Sequence, residues 1–536
     1  MDPTWKMLVY ISADNTLYND ALVSLRQLTD ASLQNNVDIT VQLDGPTPDQ
    51  VSRYRCAGGR KKLLWVAPNN YTLDPNQRLR HFLGLGDATL SDAAPLGTVY
   101  SDAAPSDEQR IALILWGHGA GLDTYFQYID PANVADTQEL QTRDAANTAP
   151  AKGNGATDTR VFNQLSAGNA NLYVKNIQLA ATLKDFANRS FLNASPQRKI
   201  GKIDLLGLDS CLMGMAEICH EVSPSVSLMI ASDEEVPVGS WPYDSILGDL
   251  NKFPGMDANT LSAVIINRFV ESYSRKGHKT RVSLSSMNLS ASDDLVKAVK
   301  GLVDALNAAS NPAADKDGHV KRTIFRARDA ARTPDEVTYI DFVVFCEELS
   351  ESCSGSLAVC DAAKNVRDLL LKSSYILYHR DAREDGSMDP YGLAIYFPET
   401  LSLTTAQIND AVKSEPLPLS ASVKFSASNK LKFPAGNKLK FPAGNKLKFA
   451  AGPQIIGYEI LWPSYKELTF NKETGWAALV EHLVGSSNQE TGQTAEQSAV
   501  QTDGQATALT PVESKKQPDL NPASTSTPRI QLQVFI

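Results

Sequence analysis

The sequence predicts an α/β protein: a mainly parallel central sheet with helices on both faces, plus a C-terminal α+β extension. Three observations predict it. Strand-length runs such as Met7-Leu8-Val9-Tyr10-Ile11 and Ile111-Ala112-Leu113-Ile114-Leu115-Trp116 are apolar at consecutive positions, as strands buried on both faces are. Segments with helical spacing separate such runs, so neighbouring strands are joined by crossovers and run parallel. The chain has 536 residues, 42% of them hydrophobic, which supports a sizeable core and excludes global disorder.

Charge and hydropathy remove several classes. With 51 Lys+Arg against 61 Asp+Glu and a pI near 5.3, the chain does not read as a protein that coats nucleic acid. No run approaches the ~20 apolar residues of a membrane helix. Met1-Asp2-Pro3-Thr4-Trp5 leads straight into an apolar segment without a basic region or cleavage site. As written there is no signal peptide, so the expectation is an intracellular protein unless a leader has been trimmed.

The elements follow in order. Lys6 to Ile11 reads as a buried strand that stops at the turn-forming Ser12-Ala13-Asp14-Asn15. Tyr18 to Leu28 has helical spacing. Val37 to Leu43 alternates as a second strand and ends at Asp44-Gly45-Pro46. Ile111 to Trp116 is a third, running into Gly117-His118-Gly119-Ala120-Gly121. Val174 to Phe186 is a helix with Leu179, Leu183 and Phe186 on one side. Ile203 to Leu208 is a fourth strand, leading into Asp209-Ser210-Cys211, and Val226 to Ala231 a fifth. Ligands of parallel sheets bind beyond the carboxyl ends of the strands. His118 and Cys211 both lie just past such ends, so if those strands are neighbours they open onto one rim.

Residues 1–250 therefore read as a core, broken by a polar Ala/Asn/Asp/Thr/Gly-rich insert at about 122–172. A connection that long is uncommon inside a compact domain and often functional. Residues 251–400 continue with a helical Leu261 to Tyr273, a strand-like Arg281 to Met287, ordered segments at Leu295 to Leu306 and Tyr339 to Leu349, and a strand in Tyr391 to Pro398. Residues 401–452 are an insertion in which Phe-Pro-Ala-Gly-Asn-Lys-Leu-Lys occupies 433–440 and again 441–448; a duplicated surface loop is the simpler reading. Residues 453–484 close the ordered part, with Trp476 on a short helix. From 485 to 536 the Ser/Thr/Gln/Pro-rich composition predicts a disordered tail.

Six cysteines, Cys56, Cys211, Cys219, Cys346, Cys353 and Cys360, are too sparse for a disulfide scaffold. The last three recur every seven residues. On one continuous helix they stand about 10.5 Å apart, too far for a disulfide, although Ser354-Gly355 could interrupt that helix. They read as core thiols.

Cys211 is different. A cysteine nucleophile works as thiolate and needs a base nearby, and His118 stands past another strand end. Glycines on both sides of His118 let backbone approach a substrate and aim an amide at an oxyanion. Asp209, two residues before Cys211, projects to the same side of an extended chain. A carboxylate there raises the thiol pKa unless it serves another purpose, such as holding a cationic substrate side chain. Each piece also has a structural reading: core thiol, hydrogen-bonded histidine. His81, His220, His278, His319, His379 and His482 have no comparable setting, and no pair of them has zinc-ligand spacing.

Trp116-Gly117-His118-Gly119-Ala120-Gly121 followed by Leu208-Asp209-Ser210-Cys211-Leu212-Met213-Gly214-Met215-Ala216-Glu217 closely resembles the clostripain family of cysteine peptidases, which share the caspase-like fold. Met7 to Leu17, Gln42 to Gly45, Ala231 to Glu235 with Trp241-Pro242-Tyr243, Gly392 to Pro398 and Tyr465 to Trp476 resemble it too. The resemblance spans residues 5 to about 484, interrupted by the repeats.

It implies Cys211 as nucleophile and His118 as general acid/base, with the amides of Gly119 and Cys211 as oxyanion hole. Asp209 would line the S1 pocket and pair with a P1 arginine, preferred over lysine because guanidinium fits carboxylate bidentately. The family commonly has a second acid shortly before Trp-Pro-Tyr; this chain has Pro237-Val238-Gly239-Ser240. Relatives are commonly self-processed between His and Cys, which makes Arg143, Lys152 and Arg160 the candidate cleavage sites, and the product a monomer or a nicked two-chain form. The chemistry requires no cofactor. Some relatives use calcium, for which the exposed-looking Asp233, Glu234 and Glu235 are candidates, without EF-hand spacing. Peptides or proteins with basic P1 residues are the expected partners. The alternative is a catalytically silent scaffold acting through its repeats and tail.

Overall fold

A nine-stranded mixed sheet forms the centre of the molecule. The computed structural model describes residues 5–14, 17–32, 37–45, 47, 50–68, 73–85, 109–119, 121–122, 128–129, 174–191, 198–274, 281–332, 338–352, 356–372, 375–382, 391–398, 454–455 and 465–485. One unit covers Met1–Ser487, and a second, Asn488–Ile536, falls wholly outside the described residues. So do Arg143, Lys152, Arg160, the octapeptide insertion and the predicted disordered tail beyond Gly485.

Five parallel strands make the middle: β1 (Trp5–Ser12), β2 (Val37–Asp44), β5 (Arg110–Trp116), β6 (Ile203–Asp209) and β7 (Val226–Ala231). Antiparallel strands extend both edges: β3 (Ser52–Ala57) and β4 (Arg60–Val66) on one, β8 (Val282–Asn288) and β10 (Ile376–Ala382) on the other. The order is β10-β8-β7-β6-β5-β1-β2-β3-β4. After β2 the chain crosses back past β1 to build β5, β6 and β7, so strand order reverses between β1 and β5. That reversal is where open parallel sheets place ligands.

Strand β1 shows why the middle strands read as unbroken apolar runs. Trp5, Met7, Val9 and Ile11 enter one core while Leu8 and Tyr10 enter the other. The first core lies under α1 (Tyr18–Asp30), α5 (Tyr243–Lys252) and α6 (Ala258–Tyr273). The second lies under α2 (Pro75–Phe82), α3 (Asn176–Ala187), α4 (Ala216–Val222), α7 (Ser292–Ala309), α8 (His319–Ala330), α9 (Phe342–Ser352) and α10 (Leu357–Leu371). The closing helices α11 (Thr469–Thr474) and α12 (Trp476–Gly485) join this second layer. Each fully buried large side chain contributes about 1.5–3 kcal/mol of apolar burial. A small antiparallel pair, β9 (Tyr339–Asp341) with β11 (Ala394–Tyr396), sits beside the loop after β6, where Ala394 N donates to Gly214 O at 2.8 Å.

One expectation is corrected. Cys346 is a buried free thiol as expected, but Cys360 is disulfide-bonded rather than a core thiol. The reason is the broken helix: α9 ends at Ser352 and α10 begins at Leu357 with Ser356 as its N-cap, so the seven-residue spacing is not measured along one axis.

Candidate active site

Strands β5 and β6 run side by side, with Trp116 paired to Asp209 at their carboxyl ends. His118 and Cys211 each follow that pair by two residues, so the register sets them level beyond the sheet edge. Gly117 N still reaches Asp209 O at 3.3 Å, carrying the alignment one residue further. The backbones then close on each other at Gly119. A Cβ there would collide with Cys211 O and stand 2.8 Å from Ser210 Cβ and 3.0 Å from Cys211 N. Only glycine permits this approach of residue 119 to the backbone of residue 211.

Cys211 forms no disulfide and is partly exposed, while Cys56, Cys219 and Cys346 are buried. Its Sγ accepts from Val236 N at 3.2 Å and donates to Val236 O at 3.6 Å. The sequence offered no side-chain signature for either contact. The loop after Cys211 is strapped to the same segment: Leu212 N donates to Glu234 O at 3.0 Å and Gly214 N to Ser232 O at 2.7 Å. His118 is part open to solvent, and the protein packed around it holds its pKa below the usual value by desolvation. A neutral imidazole results, able to receive a proton.

Asp209 is buried beneath this rim. Gly207, on the same face of β6, leaves room for the Trp241 ring, whose edge would lie 2.9 Å from a Cβ there. Around the carboxylate, Oδ2 accepts from Ser240 Oγ at close range, from Tyr243 Oη at 2.7 Å and from Trp241 N at 3.3 Å. Oδ1 is equally buried and has no hydrogen-bond partner. Burial pushes the Asp209 pKa up to about 6, with the Ser240, Tyr243 and Trp241 donors pulling against it. Ser240 Oγ in turn accepts from Trp116 Nε1 at 2.6 Å, tying the ends of β5 and β6 together. Among the described residues the two non-glycine positions with left-handed backbone are Leu212 (φ 62°) and Ser240 (φ 58°). Both flank this site, where such strain concentrates.

Two sequence expectations change. Asp233 and Glu234 are not exposed: they are 1% and 0% accessible, Glu235 is half-buried, and Asp233 Oδ1 accepts from Ser283 Oγ at 2.7 Å. The run belongs to the strap that holds the Cys211 loop, which is why it is internal. Among the described residues no group of three His, Cys, Asp or Glu is placed to hold a metal. His220, passed over in the sequence, has a setting after all. Its Nδ1 lies 2.9 Å from Ser292 Oγ and its Nε2 3.2 Å from Glu473, but Ser292 is 2% exposed, so the trio fastens α4 to α7 and α11.

The mixed α/β sheet, parallel at its centre, thus brings residues 118 and 211 each two positions past one strand pair, and a family match assigns the chain to the cysteine-type peptidases. The sequence matches the clostripain family model over residues 165–482, more than half of the chain, and the protein belongs to that family. The match includes Asp209 and Cys211 and begins after His118. Solved structures similar to this chain include a secreted C11 cysteine protease from Bacteroides thetaiotaomicron bound to an irreversible peptide inhibitor (15% identity, 77% of this chain and 97% of that one, TM-score 0.46). Another is an inactive zymogen C11 protease from Parabacteroides distasonis (14% identity, 88% and 99%, TM-score 0.47). A search of curated proteins found no match. No helix among the described residues is long and apolar enough to cross a membrane.

Proposed function

We propose that the chain is an endopeptidase that cleaves after basic residues through Cys211 and His118. The observation that supports this reading is the Trp116–Asp209 register, from which residues 118 and 211 each follow by two positions, together with the burial of the Asp209 carboxylate. His118 takes the thiol proton, and Cys211 Sγ attacks the scissile carbonyl carbon. The carbonyl oxygen becomes an oxyanion held by the amides of Gly119 and Cys211. As it collapses, the C–N bond breaks and His118 returns its proton to the leaving amine. Water then attacks the thioester, His118 accepts its proton, and the thiolate departs.

Asp209 supplies the charge for a P1 cation. Its Oδ2 already accepts three donors, so one oxygen is left. The bidentate argument for arginine needs two, and lysine is therefore expected to compete closely with it. Since Oδ1 is shut off from solvent, an entering P1 side chain must move the pocket wall, and the strained Ser240 turn is the part poised to yield.

Self-processing between His118 and Cys211, at Arg143, Lys152 or Arg160, belongs to the same reading, because all three offer the basic P1 side chain. Fluorogenic peptides with P1 Arg, Lys and a neutral residue test it. Cys211→Ala and His118→Ala should lose turnover by about 10³-fold or more, and Asp209→Ala should damage basic substrates selectively. Equal losses on basic and neutral substrates would remove Asp209 from the pocket. New N-termini, read by mass spectrometry in wild type but not Cys211→Ala, test self-cleavage, and activity in excess chelator tests for calcium acting elsewhere on the chain.

A further inference from the structure

We propose that Ser240 makes Asp209 Oδ1 a single exchange position, holding a proton when the P1 residue is neutral and a P1 cation when it is basic, so that this pocket takes basic side chains in neutral solution and neutral amide side chains in acid. The inference rests on the S1 assignment above and extends it to a second substrate class.

The argument is one of hydrogen-bond polarity. Trp116 Nε1 can only donate, so at 2.6 Å it must occupy a lone pair of Ser240 Oγ. The one Ser240 hydroxyl proton then points to Asp209 Oδ2. Trp241 N is likewise a donor, and Tyr243 Oη donates its proton at 2.7 Å. Three donors converge on Oδ2, so no carboxyl proton can reside there. A proton on Asp209 must sit on Oδ1, which is buried and without a partner. The same oxygen is where a cation would have to bind, so proton and cation exclude each other.

The surroundings make the exchange accessible. The titratable groups that face Asp209 are Tyr243 of α5 and Tyr273 of α6, the latter donating to Ser240 O at 3.0 Å; both are neutral phenols whose pKa burial raises. Cys211 and His118 stand on the loops beyond β6 and β5. Burial lifts the Asp209 pKa to about 6 with no cation among the causes. Below that pH the pocket presents an O–H donor, complementary to the carbonyl of a glutamine or citrulline side chain. Above it the pocket presents a carboxylate.

The test uses matched peptides with P1 arginine and P1 citrulline, which share a shape and differ in charge. Their kcat/KM ratio is read from pH 5 to 8 on the full chain. The ratio cancels the titration of His118 and Cys211, which act on both peptides alike. For wild type it is expected to rise about a hundredfold between pH 5 and 7, because ionised Asp209 gains and protonated Asp209 loses about tenfold each. The midpoint near 6 is the pH at which the arginine and citrulline rates, each normalised to a P1 alanine peptide, reach half their limiting values. Ser240→Gly keeps the left-handed backbone and removes one donor from Oδ2, so the midpoint should move up. Ser240→Asn, which tolerates that backbone and restores an amide donor, should return it toward wild type. A ratio that is large and lost in Asp209→Asn but flat with pH would overturn the exchange and leave the S1 reading intact. A ratio near one at every pH, unaffected by Asp209→Asn, would remove the S1 reading itself. An unmoved midpoint in Ser240→Gly would take the role away from Ser240.

Discussion

At the scale of single residues the site is controlled by small groups in close contact. Gly119 lies against the backbone of Cys211 so tightly that a methyl group has no space. Gly119→Ala is therefore expected to displace the Cys211 backbone, lower the melting temperature and lower kcat about 10²–10³-fold, with KM for a basic peptide little changed. Steady-state kinetics on the folded variant beside a thermal melt checks it; an unchanged kcat in the folded variant would make Gly119 a structural glycine only. His118, Cys211 and Asp209 were legible because reactive side chains after apolar runs leave a pattern. Val236 was not, since it acts through its amide, and neither were the partnerships of Asp209 with Ser240 and Tyr243. Those contacts join residues 31 and 34 positions apart, across a fold whose topology periodicity does not give.

At the scale of elements, helix α4, which follows Cys211, anchors the segment that leads into the closing helices. Glu217, His220 and Glu221 share one face by their spacing of three and four. Glu217 Oε1 accepts from Tyr396 N at 3.0 Å and Tyr465 Oη at 2.9 Å, His220 meets Glu473, and Glu221 accepts from Thr469 and Phe470. Glu217 is fully buried, its Oε2 has no hydrogen-bond partner, and burial pushes its pKa up to about 7. The folded chain thus holds a proton that the unfolded chain has released above pH ~4.5. Its stabilisation is complete below that point and is lost as pH rises to about 7, at about 1.4 kcal/mol per pH unit. Glu217→Gln cannot titrate, so its melting temperature should gain on wild type from pH 5 to 7 and hold a constant offset above. A pH-independent difference would mean that Glu217 is ionised in the folded state. The strands buried on both faces were readable as apolar runs. The hairpin β3–β4, helices α2, α8 and α10 and edge strand β10 were not, because they carry charge or exposed faces, as in Arg60-Lys61-Lys62, and their register is supplied by neighbours rather than by their own pattern.

For the whole molecule, four buried carboxyls share that behaviour: Asp44 and Asp209 near 6, Glu217 and Asp341 near 7, each raised chiefly by burial. Between about pH 4 and 7 each favours the folded state less as pH climbs. His81 opposes them. Desolvation lowers its pKa to about 4, so the unfolded chain binds a proton that the folded one refuses until pH ~6.5, and its stability term rises with pH. His118 acts in the same sense as His81. Asp257, Asp315 and Asp368 have pKa values below the ordinary carboxylate, so their contributions disappear only in stronger acid. Asp20 and Asp204 are raised by burial as well, so six falling contributions against two rising ones give a net decline. Cys211→Ala, which keeps any self-cleavage out of the measurement, should melt at its highest temperature near pH 4, lower by pH 7, and level beyond. Calorimetry across that range checks it, and a melting temperature that climbs to pH 7 would contradict it.

The ladder from Ala112–Leu205 to Trp116–Asp209 is what sets His118 level with Cys211, and it does so by hydrogen bonds between strands rather than through the peptide that links them. The placement of the two residues is therefore expected not to depend on the length of that link. Codons gained or lost between residues 122 and 174 should leave both in place, so drift in length should accumulate there. One codon added inside β5 or β6 is another matter. It would slide one reactive side chain about 3.3 Å past the other and turn it to the opposite face. The same logic makes the molecule divisible. A cut in the link leaves one peptide carrying His118 and another carrying Cys211, which should elute together under native conditions, part only in denaturant, and be inert when either is made alone.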